Sequence, residues 1–328
     1  MAMLTRGVPI RENATLYLHF PCFDGLVSGL LTRELLEQQG WVFEHFCPVN
    51  YDVREEWLSR PLNIPCAVVD FLYHTDADFW ADHHLTAFVT EAAWNDFARR
   101  SSPHFVYDSS FGSCASLIWR RFAPVFEADA RHKELVLWAD KIDAARYSSV
   151  DEAIFGDAPA LRISCSLMRR CDSDYCSFLL NALGTMTLDR VADLPEVRSR
   201  SNEVRSLTTA GLQRFRTAAR LEGDIVIFDI QAGNDIVSRY APYAVYPNAR
   251  YSLGVIRYPQ TAKILAMRNP WLEFPSVPLG PLFAAFGGGG HERVGAVTLS
   301  QDRIGDTDTI LRELRDRICA ADRTAVCA

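Results

Sequence analysis

TLYLHFPCFDGLVSGLLTRELLEQQG, residues 15–40, decides the fold. Its first six residues form a dense apolar run that reads as a buried strand. After a short turn, apolar residues recur with helical spacing until Gly40 closes a helix over 25–40. Working outward, WVFEHFCPV (41–49) and PCAVVDFL (65–72) read as further strands, and WADHH (80–84) as the end of another short one. TAFVTEAAWNDFARR (86–100), SCASLIWRRFAPVF (113–126) and HKELVLWADKIDAARY (132–147) read as helices. Strands alternating with helices predict an α/β fold, a mainly parallel sheet flanked by helices. In such sheets the ligand crevice lies at the carboxyl ends of the strands. His19, Asp70 and the Asp82–His83–His84 run all fall at those ends.

The rest of the chain reads differently. Residues 148–222 are expected to be mostly helical, with DLPEVRSRSNEVRS (193–206) a connecting helix or linker. Alternation then resumes, with DIVIFDI (224–230), YSLGVIRY (251–258) and AKILAMR (262–268) as strands and a helix ending at Phe286. GGGGHERVGAVTLS (287–300) follows, its glycines read as opening a helix, and a last helix lies around 307–320. The expected domains are 1–190, a helical linker over 191–222, and a smaller α/β domain over 223–328.

A net charge of −7 and a pI near 5.6 argue against a broad basic surface for long nucleic acid. No apolar run reaches the roughly 18 residues of a membrane span. The N-terminal MAMLTRGVPIRENA lacks the layout of a secretory signal. Nine scattered cysteines suit a reducing compartment, and Cys165, Cys171 and Cys176 match no standard zinc spacing. A cytoplasmic protein without a membrane partner is expected.

HFPCFDG offers His19, Cys22 and Asp24; the apolar run before Phe71 ends in Asp70; ADKIDAARY offers Asp140 and Asp143. Singly, each has a plain structural explanation. Asp24 caps its helix, Asp70 is a turn residue, and Asp140 pairs with a neighbouring cation. Jointly, acids and imidazoles at successive strand ends form a mixed carboxylate/His site, better suited to Mn²⁺ or Mg²⁺ than to Zn²⁺.

In order, H-x-x-C-x-D-G, a strand-end Asp, D-H-H, a helix-borne Asp and G-G-G-G-H resemble the DHH phosphoesterase superfamily. The likeness is to the branch whose C-terminal DHH-associated domain carries a GGGH motif, which includes nanoRNases (oligoribonucleases), pAp phosphatases, cyclic-dinucleotide phosphodiesterases and RecJ-like exonucleases. The resemblance spans roughly residues 15–300. It implies an active site in the interdomain cleft and a two-metal centre filled by Mn²⁺, with Mg²⁺ or another divalent ion as alternatives. His19 and Asp70 would hold one ion; Asp24, Asp70, His83 and Asp143 the other, with Asp70 bridging. His84 would face the substrate, and Asp82 would fix a neighbouring imidazole. Asp143 is chosen over Asp140 because D-A-A-R-Y fits the family pattern. Arg268, Gly288, Gly289, Gly290 and His291 would grip the substrate's phosphate or nucleotide.

One departure from the family is clear. The usual first motif, H-x-x-x-D-x-D, has two acids, whereas here one residue is missing and Cys22 takes the place of the first acid. A thiolate can replace it as a ligand for softer metals. The implied function is metal-dependent hydrolysis of a short oligonucleotide or small nucleotide, with no long nucleic acid as partner and a homodimer left open. A non-catalytic nucleotide sensor, or a phosphatase for another small substrate, is the alternative.

Overall fold

The computed structural model describes residues 11–126, 129–169 and 172–327, so Cys171 lies outside the described residues. The chain divides into two compact units. One runs to Tyr147 and includes Asp157–Val204; the other comprises Ser148–Gly156 and the residues from Arg205 onward. The division falls inside the 24-residue helix Pro195–Ala218, into which the polar stretch 193–206 is almost wholly absorbed.

The first unit is built on β1 (Arg11–His19), β2 (Trp41–Val49), β3 (Cys66–Val69), β4 (Phe79–Asp82) and β5 (Phe105–Tyr107). They form a wholly parallel sheet in the order β2-β1-β3-β4-β5. β3 and β4 are buried throughout, as parallel strands covered on both faces must be. Alternate residues feed two cores. Leu16, Leu18, Val69, Phe79 and Ala81 pack with the helix Phe23–Glu37, while Tyr17, Val68 and Trp80 join Trp57, Phe71 and Tyr73 on the opposite face. Burial of such side chains stabilises by about 1.5–3 kcal/mol each, so a one-residue slip, which would swap the faces, is strongly disfavoured. Register then sets the site. His19 lies beside Val49, Leu18 beside Val69, Val69 beside Ala81 and Asp82 beside Tyr107, so the strands end together.

Two expected helices are shorter than their patterns. Residues 86–90 stay out of the helix Glu91–Arg99, because the Thr90 hydroxyl accepts from the amide of Ala93 and fixes the start there. The pattern over 113–126 splits into Cys114–Arg121 and Ala123–Phe126, since Pro124 has no amide to continue the first helix.

The second unit carries β6 (Ala219–Glu222), β7 (Ile225–Gln231), β8 (Tyr251–Arg257), β9 (Ala262–Arg268), β10 (Gly289–His291) and β11 (Val294–Leu299), in the order β10-β11-β9-β8-β7-β6. Only β7 and β8 run parallel. Ile310, Leu314 and Ile318 of the helix Thr307–Cys327 pack into its core. The glycine run does not open a helix. It follows the helix Leu279–Ala284 and leads into β10, paired antiparallel with β11. Close backbone approach explains this. A Cβ on Gly288 would stand 2.3 Å from the Ala296 carbonyl oxygen, and one on Gly290, at φ +148°, 2.2 Å from that of Val294.

Candidate metal centre and active site

The site grows from the turn after β1. Cys22 sits at the N-cap of the helix Phe23–Glu37 without capping it through its side chain. Gly25 allows that helix to abut the strand: a Cβ there would lie 1.9 Å from the His19 carbonyl oxygen. Asp24, in the first turn, is thereby turned inward and buried. It caps a different helix from the one expected. Its Oδ2 accepts from the Cys114 amide (2.7 Å) and its Oδ1 from that of Ala115 (2.9 Å), at the N-terminus of Cys114–Arg121.

Asp70 follows β3 with φ +55°, a left-handed backbone that turns its fully buried carboxylate into the same space. Asp82 ends β4, and its Oδ1 accepts from the amides of His83 (2.8 Å) and His84 (3.3 Å) and from His84 Nδ1 (2.8 Å). His83 Nδ1 donates to the Phe111 carbonyl (3.1 Å), which leaves the Nε2 lone pair facing inward. That Nε2 lies 3.7 Å from Asp24 Oδ2, 3.7 Å from Asp70 Oδ1 and 3.4 Å from Asp143 Oδ2. His19 Nδ1 stands 3.3 Å from Asp70 Oδ2. Asp143, the last residue of the helix Ala130–Asp143, reaches the cluster. Asp140 instead accepts from Ser113 (3.4 Å) and Ser116 (3.2 Å) and pairs with Arg146.

Three overlapping donor groups result: Asp70 with Asp82, His83 and His84; His19 with Cys22 and Asp70; and Asp24 with His83 and Asp143. Within each, one donor atom per residue lies within 4.8 Å of the others. Both Asp70 oxygens, His19 Nδ1, Asp82 Oδ2 and His83 Nε2 are buried with no hydrogen-bond partner. An unsatisfied buried polar group costs about 1–3 kcal/mol, and a buried ionised carboxylate more. A capping or turn role explains none of these orphans. A cation held among them explains all of them, and carboxylates with imidazoles suit a hard or borderline divalent ion.

The electrostatics agree. Burial, reinforced by Asp24, Asp143 and Asp82, holds Asp70 well above the usual carboxylate range. Burial and Asp24 push Asp143 up to about 6 against the opposing pull of His83 and His84. Burial and neighbouring His84 lower His19 to about 4, so its ring is neutral and available as a ligand at pH 7. For His84, burial disfavours the charged form, but the hydrogen bond and charge of Asp82 outweigh it and the value rises. Burial, then Asp70, Asp24 and Asp143, raises the Cys22 thiol far above its ordinary value. Burial is the largest cause in each acid, and neighbouring negative charge adds to it.

The second unit treats its polar residues otherwise. Arg268, expected to grip phosphate, is buried, donates to the carbonyls of Asn269 (2.9 Å) and Phe274 (3.2 Å), and lies 4.3 Å over the Phe274 ring. Gly288 and Gly290 are held in the hairpin by backbone contact, whereas a Cβ on Gly289 would meet nothing within 4 Å. His291 ends β10, and its side chain lies outside the described residues.

Sequence patterns gave no sign of the Phe111 carbonyl that fixes His83, nor of Tyr51. The Tyr51 ring meets that of His19 edge-on at 5.1 Å and that of His84 at 6.2 Å. Gly25 stood beside Asp24 in the first motif and was the available clue to the tight turn.

No protein-family model and no curated protein sequence matches the chain. Solved structures do. The chain is similar to the pGpG-specific phosphodiesterase PggH from Vibrio cholerae, at 18% identity over 94% of this chain and 99% of that one, with a TM-score of 0.71. It is also similar to RecJ in complex with Mn²⁺ from Thermus thermophilus, at 11% identity over 94% of this chain and 52% of that one, TM-score 0.55. A further likeness is to an exonuclease RecJ bound to manganese, at 11% identity over 93% and 90%, TM-score 0.53. The chain thus shares its fold with these phosphodiesterase and RecJ structures. Among the described residues no helix is long and apolar enough to cross a membrane.

Proposed function

We propose that the chain is a metal-dependent phosphoesterase that hydrolyses a short oligonucleotide or small nucleotide, a linear dinucleotide first among them. The observation that carries this is the group of buried, unpartnered donors on Asp70, His19 and His83. The fold shared with a pGpG-specific phosphodiesterase supports the substrate class. His19, Cys22 and Asp70 would hold one divalent ion, and Asp24, Asp70, His83 and Asp143 a second, with Asp70 shared. Mn²⁺ is the ion of choice and Mg²⁺ the alternative. Ions bound there supply water activation and neutralise phosphoryl charge.

The chain's own groups do the remaining work. Asp82 holds the His84 ring through Nδ1 and leaves Nε2 to face the substrate. The raised His84 pKa keeps a protonated fraction near neutrality, which suits an acid that gives a proton to the leaving oxygen. Phe111 keeps His83 in the tautomer a metal needs. In the second unit, Gly289 and His291 are the groups we assign to the nucleotide's phosphate. Arg268 would support that region through the Asn269 and Phe274 carbonyls rather than touch substrate.

The test is mononucleotide or phosphate release with Mn²⁺ from a linear dinucleotide, a five-residue RNA, pAp and a cyclic dinucleotide. Asp70→Ala and His83→Ala run alongside. Turnover of one substrate by wild type, lost in both variants, supports the reading. Binding without turnover under any divalent ion supports the sensor alternative, in which Cys22 marks a weakened site.

A further inference from the structure

Tyr51 follows β2 as His19 ends β1, Asp70 follows β3 and Asp82 ends β4, so all four stand at one edge of the sheet. Its backbone is fixed: the Asn50 side chain accepts from the Tyr51 amide at 2.7 Å. Its ring is wedged against His19 (5.1 Å), His84 (6.2 Å) and Phe71 (5.3 Å). Phenylalanine would supply all of that packing. What tyrosine adds is a hydroxyl, and that hydroxyl is buried with no hydrogen-bond partner.

It has company. Of the twelve such orphaned side-chain atoms among the described residues, six belong to His19, Tyr51, Asp70, Asp82 and His83. Its ring packs against those of His19 and His84, two members of the donor groups. Unlike every other orphan there, however, a phenol is ordinarily a protonated hydrogen-bond donor, and the carboxylates and imidazole lone pairs are acceptors or ligands.

We propose that the Tyr51 hydroxyl donates a hydrogen bond to a phosphoryl oxygen of the substrate held inside this cluster during turnover. This rests on the phosphoesterase reading above. A donor preset in a buried site toward oxygen that gains charge acts mainly on the transition state.

The test compares wild type with Tyr51→Phe, which keeps the ring. Turnover of a linear dinucleotide with Mn²⁺ is read alongside three independent quantities: Mn²⁺ affinity by calorimetry, affinity of the Mn²⁺-loaded protein for inorganic phosphate, and melting temperature of the metal-free protein. We expect kcat to fall about 10- to 100-fold with Mn²⁺ affinity unchanged and the melting temperature equal or higher. Weaker phosphate binding would place the bond in the ground state as well, and unchanged phosphate binding would confine it to the transition state. Wild-type kcat in Tyr51→Phe overturns the proposal, as does a joint loss of kcat and Mn²⁺ affinity, which would make Tyr51 a support for His19. A wild-type protein that binds Mn²⁺ but turns over no phosphoester overturns the proposed function itself, and this inference with it.

Discussion

The carboxyl edge of the parallel sheet and the glycine hairpin of the second unit both gather polar residues, in opposite ways. At the sheet edge, side-chain atoms of Asp70, His19 and His83 are buried with no hydrogen-bond partner. In the second unit, Arg268 and Asn269 are just as buried, yet their donors reach the carbonyls of Asn269, Phe274, Pro247 and Ala249. The first region leaves ligand-type atoms unsatisfied by the protein, whereas in the second the donors of Arg268 and Asn269 are paired within it. Polar residues in a family-like motif therefore do not all have the same reason to be there.

The strongest way to break this comparison is Asp70→Asn. On the proposed reading, in which two ions would share this carboxylate, it should cut phosphoester hydrolysis about a thousandfold or more. The same change should raise the melting temperature of the metal-free protein by a few degrees, since it removes an acid whose ionisation burial and the neighbouring carboxylates oppose. A drop in metal-free stability would mean that Asp70 is an ordinary structural acid.

His84→Ala sharpens the division of labour within the site. Loss of a proton donor should lower kcat about 10²- to 10⁴-fold while Mn²⁺ affinity holds within about twofold. Equal losses in both would make His84 a ligand.

Acidity gives a third handle. Burial and Asp24 push Asp143 up to about 6, and burial and Asp24 hold Asp70 well above the usual carboxylate range, so an incoming ion must displace protons from them in acid. Protonation blocks the ligand, so apparent Mn²⁺ affinity should rise between pH 5 and pH 7, with proton release falling as Asp143 ionises. Calorimetry in two buffers of different ionisation enthalpy reads both quantities. An affinity flat over that range contradicts the raised acids.

The smallest effects belong to the hairpin side. Arg268→Ala should cost about 1–3 kcal/mol of stability in denaturant unfolding, from two carbonyls left unpaired, and should change KM little. A large KM change with intact stability would return Arg268 to the substrate.

Much of the candidate site was legible because its acids and imidazoles close apolar runs. His19, Asp70 and Asp82 each end or follow a strand, and period-2 burial forces those strands to end together. Asp143 could be told from Asp140 only through the motif, as both lie in one helix; the structure brings Asp143 to His83 and ties Asp140 to Arg146. Asp24 was recognisable as an acid at a helix start. Its true helix was hidden, because Cys114 and Ala115 lie 90 and 91 positions away. The glycines misled for a physical reason. Composition alone does not distinguish an anion-binding helix start from a hairpin whose backbones nearly touch, and only the clash at Gly288 and Gly290 does. Tyr51 and the Phe111 carbonyl carried no signal, since one looks like packing and the other is backbone.

The most direct test of the central claim is the number of Mn²⁺ ions retained after equilibrium dialysis of metal-free protein, wild type against Asp70→Asn, counted by elemental analysis. The account predicts about two ions per chain in wild type and a clear loss in the variant. No Mn²⁺ retained by wild type, or equal retention in the two proteins, would contradict a metal centre built around Asp70.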